Sequence, residues 1–109
     1  MADTWPPPPD PASLKELFAS ADVEGFLAEG APADEYDLEA EEFCAALRGM
    51  TSAELSTARL LPMLEEIWAG AFELNAAQLA ERRQHLTALA AEVARFFGPD
   101  AQPRVRGQQ

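Results

Sequence analysis

Basic residues, cysteine and β-branched residues are all scarce in this chain, and each scarcity excludes something. Eight Lys and Arg stand against nineteen Asp and Glu over 109 residues, a formal charge of −11. A domain of that sign repels nucleic-acid phosphates and anionic lipid headgroups, so neither nucleic acid nor a membrane is expected as a partner. One cysteine, Cys44, and one histidine, His85, leave no internal disulfide and no thiolate zinc site. A lone thiol suits a reducing cytoplasm. One Ile and three Val, with no period-2 alternation, give no credible strand. No apolar run approaches the ~18 residues a bilayer requires. The opening Met-Ala-Asp-Thr-Trp, followed by four prolines, is not a signal peptide. A Gly-rich phosphate loop, a Ser/His/Asp set, a paired-histidine metal motif and a nucleotide fingerprint are also missing. The expectation is therefore no catalysis, no cofactor and no bound metal. The preference for Arg over Lys, with abundant Ala, suggests a GC-rich bacterial genome.

Apolar residues are plentiful. A hydrophobic fraction of 48% over 109 residues suits one globular domain. Area scaling buries about two-thirds of the surface of a chain this size. Residues 1–12 hold Pro6, Pro7, Pro8, Pro9 and Pro11 and read as an extended polyproline leader. Ser13-Leu-Lys-Glu16 has the form of a capping box and opens the first helix, with Leu14, Leu17, Phe18 and Ala21 on one face. Val23, Phe26 and Leu27 continue that helix or restart it after a bend at Asp22, and Gly30 and Pro32 end it. Asp34 or Asp37 caps a helix carrying Tyr36, Ala40, Phe43 and Leu47, closed by Gly49. Thr51-Ser-Ala-Glu54 is a second capping box. The pattern after it (Leu55, Leu60, Leu61, Leu64, Ile67, Trp68, Ala71, Phe72) is interrupted by Pro62, which predicts a kink or two pieces near 52–60 and 62–73. Asn75 and Gln78 open the longest helix, in which Leu79, Leu86, Leu89, Ala90, Val93, Phe96 and Phe97 share a face until Gly98 and Pro99. The reading is an all-α bundle of about four helices over 13–98 with short connections, an extended leader over 1–12 and a flexible tail over 99–109.

Acidity is concentrated. Residues 22–42 hold Asp22, Glu24, Glu29, Asp34, Glu35, Asp37, Glu39, Glu41 and Glu42, and no base. Three readings stand: a solvated helix face with caps, a docking surface for a basic partner, or a divalent-metal site. The spaced oxygen ligands of a calcium loop are lacking. His85 flanks the last apolar stripe and reads as a boundary residue, with Glu81 one turn before it. Cys44 reads as a small core hydrophobe. Arg82 and Arg83 sit at solvent-facing positions able to pair with Glu of a neighbouring helix. Trp68 and Phe72 read as core or, alternatively, as aromatic anchors of an oligomer interface.

The string over 22–43 contains Gly30-Ala-Pro-Ala-Asp-Glu-Tyr-Asp37 followed by Glu39, preceded by Asp22 and Gly25. It resembles the YugE-like family of small bacterial helical proteins of unknown function. Ala21, Val23 and Glu24 stand where that family has Trp, Pro and an aliphatic residue. The resemblance implies a compact helical fold with no assigned activity, and similar motifs occur in acidic immunity proteins of bacterial toxin systems. The residues also allow a structural account, in which Gly30 and Pro32 fix a turn and Tyr36 places its ring in the core.

The function expected from the sequence is a non-enzymatic, cytoplasmic protein-binding module. Asp34, Glu35, Tyr36, Asp37 and Glu39 are the candidate contacts to a basic protein. The alternatives are an immunity-like inhibitor of a basic toxin or a homodimer joined through Trp68 and Phe72. A metal-dependent enzyme using His85 and carboxylates ranks last.

Overall fold

Asp10 sets where the first helix begins. Its backbone is extended and its carboxylate accepts a 2.9 Å hydrogen bond from the Ser13 N–H, so α1 runs Pro11–Ala21. Proline at the first helical position loses no intrahelical bond and presets φ. The helix therefore starts two residues before Ser13, and the expected Ser13–Glu16 capping box is displaced by an Asp cap. These coordinates belong to a computed structural model that describes residues 8–99 and 101. Most of the proline leader and of the C-terminal tail lies outside the described residues.

α1 stops at Ala21. Asp22 adopts a left-handed conformation, φ 43°, and its N–H donates to the Phe18 carbonyl. Neither a continued nor a restarted helix covers Val23, Phe26 and Leu27; residues 22–36 form successive turns, with Gly25 and Gly30 at positive φ. α2 then runs Asp37–Ala46. Its N-cap is Tyr36, without a side-chain bond, and neither Asp34 nor Asp37 caps it. Asp37 and Glu39 instead lie in the first turn, where carboxylates favour the positive end of the helix dipole. Leu47 is the C-cap, with Gly49 two residues beyond it at φ 84°.

The Thr51 capping box forms as expected, but it caps only a 3₁₀ turn, Ser52–Glu54. The chain divides at Leu55–Ser56 rather than at Pro62. Ser56 accepts from the Arg59 N–H and starts α3, an unbroken helix Thr57–Phe72 with Pro62 inside it. Asn75 and Gln78 form the expected reciprocal cap on α4, Ala76–Phe97, and Gly98 closes it.

The fold is a small all-α bundle, with no strand among the described residues. Its main contacts run α1–α2, α2–α3, α3–α4 and α4–α1, which closes a ring of four helices. The apolar stripes meet at the centre: Leu14 and Phe18 of α1, Ala40 and Phe43 of α2, Leu60, Leu64 and Trp68 of α3, and Leu86, Leu89, Ala90 and Val93 of α4. Aromatic rings form a continuous chain inside. Phe18 touches Phe43 and Trp68 (centroids 5.7 and 5.8 Å), Trp68 stacks on Tyr36 (6.1 Å), and Phe26 bridges Tyr36 and Phe72. Aromatic pairs at such spacing add to the stabilisation from burial alone. Ala71 and Phe96, expected on buried stripes, are exposed, and the Arg95 guanidinium lies 4.6 Å above the Phe96 ring.

Candidate functional site

The fold divides the acidic run into carboxylates that hold the structure and carboxylates that face water. Asp22 belongs to the first kind. Its Oδ1 accepts from the Tyr36 hydroxyl (2.7 Å) and the Leu27 N–H (3.0 Å), and its Oδ2 from the Ala28 N–H (2.9 Å). The Tyr36 hydroxyl in turn accepts from the Glu24 N–H at 3.0 Å. The hydrogen bond from Tyr36, then those from the two amides, hold the Asp22 carboxyl below its ordinary pKa despite desolvation. Burial, then the bond to Asp22, pushes the Tyr36 phenol well above its usual range.

Glu24 also holds the structure. Its side chain is only 6% exposed. Oε2 accepts 2.8 Å from the Trp68 indole N–H and 3.0 Å from Arg82 Nε, and Oε1 accepts 2.9 Å from Arg82 Nη2. Nη1 of Arg82 continues to the Gln78 carbonyl and the Glu81 carboxylate. Arg82 therefore turns inward as a two-pronged clamp on the 22–36 turns instead of pointing to solvent. Arg83 is the one that pairs with a neighbouring helix, at 2.7 Å from Glu65 of α3. Glu24 and Asp22 are the residues that sequence reasoning undervalued. The signal was present in the adjacency of Asp22, Gly25 and Tyr36, but the partners Trp68 and Arg82 lie 44 and 58 residues from Glu24.

Asp37 and Glu41 face α1, where Lys15 reaches them at 3.8 and 3.0 Å. Glu41, then Asp37, raises the Lys15 pKa. The remaining members of the run, Glu29, Asp34, Glu35, Glu39 and Glu42, have no ion-pair partner among the described residues. All but Glu39 are exposed. Glu39 is half-buried, and its Oε1 is shielded from solvent with no hydrogen-bond partner. Burial raises its pKa, and repulsion from Glu42 and Glu35 adds to the rise, against the lowering effect of a hydrogen bond from its own backbone N–H.

The candidate contacts thus separate. Asp34 and Glu35 in the entry turn and Glu39 in α2 have no ion-pair partner among the described residues. Asp37 is tied to Lys15, and Tyr36 is 2% exposed, so its ring offers nothing to a partner. Trp68 is wholly enclosed by the bundle, and its indole N–H is engaged by Glu24, so it is a core residue and not an interface anchor. Phe72 is half-buried against Trp68.

His85 is exposed and lines a shallow depression between α1 and α4 with Ser20 and Glu92. No hydrogen bond joins these three among the described residues, and Glu92 is engaged by Arg95 at 3.0 Å. Cys44 is buried, and its thiol donates to the Pro9 carbonyl at 3.8 Å. Among the described residues no three His, Cys, Asp or Glu side chains are grouped to hold a metal ion. No described helix is long and apolar enough to cross a membrane. No family model, no curated protein and no solved structure matches the chain.

Proposed function

We propose that this protein is a non-enzymatic binding module whose acidic face, formed by α2 and the turn that enters it, docks a basic protein. The observation that carries the reading is the division of the acidic run. Asp22, Glu24, Asp37 and Glu41 are satisfied within the chain, whereas Asp34, Glu35, Glu39 and Glu42, on α2 and the turn that enters it, have no ion-pair partner among the described residues. Uncompensated charge of one sign on a rigid element steers association with a basic surface and sets its register. Inhibition of a basic toxin is one activity such a face suits, in line with the immunity-like motif in residues 30–39. The free thiol of Cys44 suits a cytoplasmic setting.

The test is affinity capture from native lysate with the full chain, compared with the variant carrying Asp34→Asn, Glu35→Gln, Glu39→Gln and Glu42→Gln. Loss of the recovered partner by a variant that melts no lower than the parent supports the reading. Equal recovery by the folded variant overturns it.

A further inference from the structure

We infer that the outer face of α2 takes an amphipathic cationic helix of a partner protein, with Leu38 as the apolar anchor between acidic side chains. This rests on the docking role proposed above and narrows it to one helix face and one partner chemistry.

The face is built by helical spacing. Leu38, Glu42 and Ala45 stand at i, i+4 and i+7 and are all exposed, opposite the buried Ala40, Phe43 and Leu47. Leu38 is 76% exposed, which is unusual for a leucine on an otherwise well-packed helix. Among the described residues the other large exposed hydrophobic side chain, Phe96, is only 37% exposed and has Arg95 over its ring. Among the described residues nothing covers this side of the helix enough to bury Leu38, Glu42 or Ala45.

Charge defines the occupant. On the flank toward α1, Lys15 neutralises Asp37 and Glu41. On the other flank Glu35, Glu39 and Glu42 have no ion-pair partner among the described residues, and Glu35 and Glu42 are exposed. An apolar side chain set between Arg or Lys residues on a partner helix would bury Leu38 and pair the exposed Glu35 and Glu42 carboxylates together; guanidinium groups fit carboxylates in two-pronged fashion. A second copy of this chain does not fit. A two-fold contact would set identical acidic faces against each other, and each copy carries −11.

The test is a titration of the full chain, followed by fluorescence anisotropy at about 150 mM salt. The probe is a labelled peptide of about 18 residues, five helical turns, bearing Leu and Arg at helical spacing. A peptide of the same composition, shuffled to abolish the apolar face, is the comparison. The helical peptide should bind more tightly than the shuffled one. Leu38→Ala, which keeps helix propensity, should weaken binding about tenfold, as loss of a buried leucine anchor does. Glu35→Gln/Glu42→Gln should weaken it more than Glu16→Gln/Glu66→Gln, which removes two exposed charges elsewhere. Leu38→Ala should melt with the parent.

Equal binding of the two peptides, or unchanged affinity in Leu38→Ala, overturns the inference. If Glu35→Gln/Glu42→Gln still weakens binding in that case, the broader docking reading survives. If both variants match the control pair, both readings fail. A dimer of the free protein that Leu38→Ala dissolves assigns the face to a second copy and also overturns the inference.

Discussion

The Tyr36 hydroxyl donates a 2.7 Å hydrogen bond to the Asp22 carboxylate and accepts one from the Glu24 N–H. One phenol thereby closes the turns between α1 and α2 at both ends, while its ring stacks on Trp68 in the core. Asp22 can hold its left-handed backbone, normally unfavourable for a residue with a Cβ, because its side chain accepts three hydrogen bonds. Tyr36→Phe keeps the ring and removes both bonds. Chemical denaturation should show a loss of about 1–2 kcal/mol, the usual effect of leaving partly buried partners unmatched. Wild-type stability in the phenylalanine variant would show that the hydroxyl bonds are replaceable by water.

The Arg82–Glu24 clamp should be more sensitive. Arg82→Leu leaves a carboxylate that is 6% exposed with only the Trp68 indole as donor. Breaking one side of such a pair costs about 3 kcal/mol, because the survivor is charged and desolvated. Arg82→Lys should recover only part of this, since a single ammonium cannot span both oxygens of Glu24. Glu24→Gln combined with Arg82→Leu should be less destabilising than Arg82→Leu alone. Thermal melts of the three variants decide the order.

The terminus of α4 depends on a close approach. Gly98 is not at positive φ, yet a Cβ there would collide with the Leu55 carbonyl and crowd Ala94. Gly98→Ala, a change that normally favours order, should destabilise by about 1–3 kcal/mol through overpacking. Gly25→Ala and Gly49→Ala would meet open space and only the strain of positive φ. A melting temperature of Gly98→Ala at or above the parent's would mean that the backbone yields at this contact.

Local chemistry made the helices legible in the sequence. Asn75 with Gln78 and Thr51 with Glu54 form the boxes their spacing implies, and the stripes of α2 and α4 bury most of the expected residues. The errors arose where two local signals competed. Asp10 outranked Ser13 as a cap because Pro11 follows it. Pro62 is carried within α3, so the real break falls at Ser56. The roles of Glu24 and Arg82 were hidden for a different reason: they pair across 58 residues, and no periodicity within either segment records that distance. The division of the acidic run was hidden likewise, because Lys15 of α1 engages Asp37 and Glu41 of α2 only once the two helices pack.

Glu39 supplies a prediction whose sign is opposite to that of Asp22. Asp22 has a lowered pKa, so the stability it contributes is present above its unfolded value near 3.8 and is lost as pH falls through the folded one. Glu39 has a raised pKa, mainly through burial, with Glu42 and Glu35 adding to the rise and its own backbone N–H opposing it. Its ionised form is therefore disfavoured in the folded state. Stability is lower above the folded pKa and recovers as pH falls toward the ordinary value of 4.5. Glu39→Gln should accordingly raise the melting temperature at pH 7, and the gain should vanish as pH approaches about 4, where the parent's Glu39 is itself protonated. Paired melts of parent and variant across that range test the sign. A variant less stable at pH 7, or a difference independent of pH, would mean that the ionised Glu39 carboxylate is accommodated in the folded chain, and the strain it places on the acidic side of α2 would be absent.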